Sequence, residues 1–165
     1  MGAMEIRKAL IPDEVPVLRE LFEEYAGSLG IPLDFQGFAG EVAGLPGRYA
    51  APRGALWLAI EDGRAAGCVA LRPFRPDVCE IKRLYVRPAF RGTGLGRRLA
   101  ETVLAEAGRL GYRQVYLDTL PSMGGAIALY RSLGFTEIAP YCDNPVPGAL
   151  FLGREVDSKE LGGTG

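Results

Sequence analysis

Residues Arg91-Gly92-Thr93-Gly94-Leu95-Gly96-Arg97-Arg98 put three alternating glycines among three arginines. Alternating glycines let a backbone turn sharply and bring successive N–H groups toward a ligand. An amphipathic pattern begins at the same point, with Leu95, Leu99, Val103, Ala107 and Leu110 on one face. A helix from Gly94 or Leu95 to Leu110 would add its unpaired N–H groups and the positive end of its dipole. The combination is an anion site, and pyrophosphate is its usual occupant. The plainer alternative is a glycine-rich turn that holds nothing.

Spacing narrows the anion. A nucleotide P-loop counted from Gly92 needs Gly at 97 and Lys at 98, where the chain has Arg97 and Arg98. The dinucleotide pattern GxGxxG also needs glycine at 97. The chain contains no histidine. Ser-His-Asp and Cys-His nucleophile pairs and histidine-ligated metals are therefore excluded, and proton transfer falls to Glu, Asp, Tyr, Lys, Cys or water. Cys68, Cys79 and Cys142 form neither a disulfide framework nor a CxxC pair, so no metal is expected. Cys68 and Cys79 lie in apolar runs and are expected to be buried.

Charge is uneven. Residues 72–113 carry ten Arg/Lys against four Asp/Glu, whereas both flanks are acidic and the whole chain is −1. A basic centre between acidic ends suits a local anion site better than a nucleic-acid surface. No apolar run reaches membrane-spanning length and no signal segment opens the chain, which makes a cytoplasmic location the default expectation.

At 165 residues one domain is expected, residues 1–165. Glu5–Leu10 reads as a strand. Asp13 offers an N-cap to a helix carrying Leu18, Leu21, Phe22 and Tyr25, and a second helix covers Phe35–Leu45. Ala55–Ile60 and Ala65–Arg72, joined through Asp62-Gly63, read as a hairpin. Cys79–Val86 is the next strand, with Ile81, Leu84 and Val86 set against Lys82 and Arg83. The helix after the glycine turn leads to a strand at Gln114–Thr119, which implies a parallel pair with a right-handed crossover. A helix at Met123–Leu133 and strands at Phe135–Ile138 and Leu150–Glu155 complete an α+β chain. It is a mixed, mostly antiparallel sheet of about seven strands with flanking helices. An apolar strand edge near the C-terminus could support a homodimer.

With these elements placed, a resemblance appears. Arg91, Gly94 and Gly96 after a strand ending Leu84-Tyr85-Val86 resemble motif A (Q/R-x-x-G-x-G/A) of the GNAT superfamily of N-acetyltransferases. Ala126-Ile127-Ala128-Leu129-Tyr130-Arg131-Ser132-Leu133-Gly134-Phe135 resembles its motif B (A-x-x-L-Y-x-x-x-G-F). Order and separation agree, and the resemblance spans nearly the whole chain. Met123 departs from it, standing where many members have Asn.

The resemblance implies acetyl-CoA, or another short acyl-CoA, as co-substrate and a small-molecule or peptide amine as acceptor, with direct attack on the thioester. It places the pyrophosphate on Arg91, Gly92, Thr93, Gly94, Leu95, Gly96 and Arg97, and the pantetheine arm along Leu84, Tyr85 and Val86. It implies Glu80 as general base; the plainer reading is a surface glutamate paired with Lys82. It implies Tyr130 as the acid for the leaving thiolate, a transfer uphill by about 2 kcal/mol for unperturbed groups; the plainer reading is a packed tyrosine. The acceptor would lie among residues 25–45 and 141–148, where Asp34, Glu41 and Asp143 could attract a cationic amine. The alternative function is a non-catalytic acyl-CoA-binding module.

Overall fold

Asp62 and Gly63 both take positive φ, 52° and 74°, as a two-residue type I′ connection requires. They join β2 (Ala55–Glu61) to β3 (Arg64–Arg75) in the expected antiparallel hairpin. The structure is a computed structural model that describes residues 3–30, 33 and 37–156. Its other strands are β1 (Met4–Lys8), β4 (Val78–Val86), β5 (Gln114–Thr119), β6 (Thr136–Glu137) and β7 (Leu150–Glu155). Among the described residues these form one seven-stranded sheet in the order β1-β2-β3-β4-β5-β7-β6. β4 and β5 are parallel, joined through α3 (Leu95–Arg109), while β1–β2, β5–β7 and β6–β7 are antiparallel. With α1 (Val15–Ser28), α2 (Phe38–Ala43) and α4 (Gly124–Ser132) flanking it, this is the mixed α+β architecture expected.

The residues group into two units. The first, Met1–Pro73 with Ile81–Val103, holds β1, β2, most of β3 and the second part of β4. There α1 buries Leu18, Leu21 and Phe22 in one cluster with Leu56, Leu58 and Ala70 of the sheet. The second, Phe74–Glu80 with Leu104–Gly165, holds the start of β4 with β5, β6, β7 and α4. Its buried side chains include Tyr112, Leu117, Phe135 and Leu152.

Several element boundaries differ from the expectation, for identifiable reasons. The N-cap of α1 is Glu14, not Asp13, and its side chain makes no cap bond. Instead the Glu14 carboxylate accepts from Leu10 N at 2.7 Å and from both terminal nitrogens of Arg7, at 2.7 and 2.8 Å. α2 ends at Ala43, before Gly44, and the start expected at Phe35 lies outside the described residues. β6 is shorter than expected: Thr136 and Glu137 form the ladder with β7, followed by one further bond from Ile138 N to Phe151 O at 2.8 Å. It also takes the edge position, so β7 is an interior strand among the described residues. Thr136 and Glu137 are both exposed and polar, which protects an edge from pairing.

β4 carries the largest departure. The alternation sets Lys82 and Arg83 against Ile81, Leu84 and Val86, yet both charged residues are buried, at 7% and 3% exposed. Arg83 has φ 59°, a left-handed conformation that departs from regular strand geometry. Such strain, of order 1–3 kcal/mol, persists only where the surroundings fix it. Glu41 of α2 does so, accepting from Arg83 Nε at 2.8 Å and from Nη2 at 2.9 Å. The guanidinium also lies over the rings of Tyr25 and Phe38, at 5.8 and 5.2 Å. Glu41 is therefore committed to a structural ion pair, which leaves it a poor candidate to attract an amine.

Candidate functional site

The glycine turn forms as the spacing predicts. Pro88 ends β4 and starts a single 3₁₀ turn, Pro88–Phe90, after which residues 91–94 loop into α3. Gly92 and Gly94 take φ 81° and 80°, values other residues rarely adopt, and a Cβ at either would meet no atom within 4 Å. Main chain with an open surface above it is what a phosphate needs in order to approach backbone N–H groups. The side chains brace the turn. Thr93 Oγ1 donates to Phe90 O at 2.8 Å, and Arg91 Nε donates to Val86 O at 2.9 Å. Arg91 thereby ties the loop to the end of β4, with its guanidinium 5.8 Å from the Tyr85 ring centre. Arg97 pairs with Glu101 at 3.5 Å, one helical turn on. These residues fit a pyrophosphate: the fifteen-residue α3 begins at this glycine turn, with arginines around its N-terminus.

The strand that leads into the turn is shaped by a glycine that carries no motif signal. A Cβ on Gly67 of β3 would run into the Tyr85 carbonyl oxygen. Only glycine admits so close an approach of β3 to the Leu84–Val86 segment. Tyr85 is 8% exposed, and its hydroxyl donates to Glu24 of α1 at 3.3 Å. Arg87 grips the same carboxylate, at 3.0 and 2.7 Å. Hydrogen bonds from Arg87 hold the Glu24 carboxyl below its ordinary range in spite of partial burial.

Glu80 is not a surface residue. It is 2% exposed in β4, in register with Tyr116 of β5. Tyr141, from the loop between β6 and β7, donates its hydroxyl to Glu80 Oε2 at 2.8 Å. Burial first, then the Glu80 charge, pushes the Tyr141 phenol up, so it stays protonated and donates throughout the working pH range. The sequence places the Tyr141 loop near the acceptor but gives Tyr141 no role. A tyrosine in a turn-rich segment carries no periodic signal.

Tyr130 lies in α4, 6% exposed, its ring edge-on to Phe135 at 5.5 Å between centroids. Both belong to the second motif, so its spacing places one aromatic against another. Met123, the departure from the family pattern, is the N-cap residue of α4; its sulfur lies 3.8 Å from Thr119 Oγ1. Cys68 and Cys79 are buried as expected, and Cys142 is exposed. Burial pushes the Cys68 thiol well above its usual range, which leaves it inert.

The acetyltransferase (GNAT) family model matches residues 16–135. An uncharacterized N-acetyltransferase of Schizosaccharomyces pombe is 37% identical over 155 residues, which are 93% of this chain and 95% of that protein. The chain belongs to the GNAT family. Its class, an acyl-CoA-dependent N-acyltransferase, follows from that membership. Solved structures share the GNAT fold. A GNAT acetyltransferase from Staphylococcus aureus Mu50 superposes with TM-score 0.78 at 20% identity, over 94% of this chain and 100% of that one. The yncA structure from Salmonella typhimurium, described with its cofactor acetyl-CoA, gives 0.68 at 23% identity, over 94% and 95%. No helix among the described residues is long and apolar enough to cross a membrane.

Proposed function

We propose that this GNAT protein transfers an acetyl group from acetyl-CoA to the amine of a small molecule or peptide by direct attack, with Glu80 as general base and Tyr130 as the acid for the leaving group. The observation that carries the reading is Glu80 itself, a carboxylate buried in a sheet and held by a neutral phenol at 2.8 Å. A charge in that position has a solvation cost that surface placement would avoid.

Acetyl-CoA supplies an activated acyl group on a thiol that departs readily. Gly92–Arg97 would hold its pyrophosphate on main-chain N–H groups, and Leu84, Tyr85 and Val86 would hold its pantetheine arm. An alkylamine is protonated at pH 7, and making it neutral costs about 4–5 kcal/mol. Glu80 takes that proton, directly or through water, while Tyr141 keeps the carboxylate oriented. Tyr130 donates a hydrogen bond, and finally a proton, to the departing sulfur. Cys68 and Cys79 are buried and play no part, which agrees with a route lacking a covalent enzyme intermediate.

Thiol release from acetyl-CoA with a panel of amines tests the reading. Amine-dependent release is expected. Binding of acetyl-CoA without release on any amine would identify a binding module instead.

A further inference from the structure

One face of the second unit's sheet carries a group of aromatic rings that neither motif accounts for. Glu80 and Tyr116 are partners in the parallel ladder, so their side chains leave the same face. Asp118, two residues beyond Tyr116, shares that face and stands opposite Phe151 of β7. Tyr141 lies across them, its ring centre 5.0 Å from Tyr116, 5.0 Å from Phe74 and 5.6 Å from Phe151. Phe74 and Tyr116 are 6.1 Å apart. Phe74, Tyr116 and Tyr141 are only half-buried, so this is an accessible aromatic surface and not sealed core.

Two carboxylates border it. Glu80 is held by Tyr141. Asp118 accepts from Asn144 Nδ2 at 3.1 Å, and Asn144 is fixed in turn by Val146 N, which donates to its Oδ1 at 3.1 Å. Asp118 is thus oriented by the same loop that delivers Tyr141. Ring faces are electronegative, and Arg75 already lies over Phe74 at 5.0 Å. Glu80 and Asp118 thus put two carboxylates beside rings whose faces already accept one cation.

We propose that this patch is the recognition half of the acceptor site, taking an amine that arrives protonated on an apolar or aromatic body. Asp118 is the counter-charge that selects the ammonium, and the rings of Phe74, Tyr116 and Tyr141 receive the body. The inference rests on Glu80 as base in the reading above and gives the second carboxylate its own part, in which Asp118 attracts and Glu80 deprotonates.

The proposal is tested by steady-state thiol release with four amines, namely phenethylamine, ethylamine, tyrosine and aspartate. Phenethylamine is expected to exceed ethylamine and aspartate in kcat/KM by about tenfold or more, with tyrosine between. Asp118→Asn should raise the phenethylamine KM by about tenfold with a smaller change in kcat, and should leave the pH profile of kcat in place. Asp118→Glu should recover part of the loss. Phe74→Leu should raise KM for phenethylamine but not for ethylamine, which covers the case of Asp118→Asn failing to fold. A preference for aspartate, or an unchanged phenethylamine KM in both variants, overturns the proposal while amine-dependent release keeps the transferase reading. No release with any amine overturns both.

Discussion

Glu80 and Tyr130 reach their positions by different means, and their variants should fail differently. Glu80→Gln keeps the shape and the Tyr141 contact but removes the base. A lost general base costs about 10²–10⁴ in rate, so kcat should fall by that order, recovering partly at high pH where free amine is plentiful. A pH series of thiol release measures it, and an unchanged kcat would remove Glu80 from the mechanism. Tyr130→Phe keeps the contact with Phe135 and should lower kcat without altering the melting temperature by more than a few degrees. The sequence points to these two residues through the family resemblance, Glu80 by its place in the strand before the turn and Tyr130 by the second motif; both are buried. Tyr141 and Asp118 were not legible in sequence. Their meaning depends on a loop folding back over β5, and loop placement leaves no periodicity to read.

Among the elements, α2 is held to β4 by the Arg83–Glu41 pair, whose side chains are 2% and 11% exposed. Burial would raise the Glu41 carboxyl, but the hydrogen bonds and charge of Arg83 outweigh it and hold the group below its ordinary range. Removing one partner strands a buried charge. Glu41→Ala should therefore cost about 3–5 kcal/mol in urea unfolding. Glu41→Leu with Arg83→Met should recover much of that loss. The burial of Arg83 was not legible from the β4 pattern, because a left-handed residue inside a strand has no sequence signature.

At the start of α1, Arg7 hydrogen bonds lower the Glu14 carboxyl to about 2, against an ordinary value of 4.5. A depressed carboxylate stabilises the fold above its unfolded pKa and loses that contribution as pH falls toward the folded one. Urea midpoints should therefore fall between pH 4.5 and 2, and fall less in Glu14→Gln. In the glycine turn, Gly94→Ala has room for its methyl but not the backbone angle, φ 80°. It should weaken acetyl-CoA binding by about tenfold at a stability cost near 1 kcal/mol. Calorimetry and thermal melts separate the two effects.

Across the whole molecule, hairpin and crossover signals carried the topology. Asp62-Gly63 dictated the β2–β3 pairing, and a strand–helix–strand run placed β5 parallel to β4. The far side of the sheet was less legible. β6 pairs with β7 over two residues in the ladder, too few for a pattern, and stands at the edge of the sheet among the described residues. The basic segment was legible as a charge island, but its arginines divide their work. Arg83 and Arg87 bind carboxylates of α2 and α1, while Arg91 braces the turn.

The central claim is that residues 91–97 seat the pyrophosphate of an acyl-CoA. Isothermal titration of the protein with acetyl-CoA, repeated with ATP and in Gly94→Ala, tests it most directly. Saturable binding of one acetyl-CoA per chain is expected, weakened by Gly94→Ala and not displaced by millimolar ATP. No heat of binding with acetyl-CoA, or equal affinity for ATP, would contradict it.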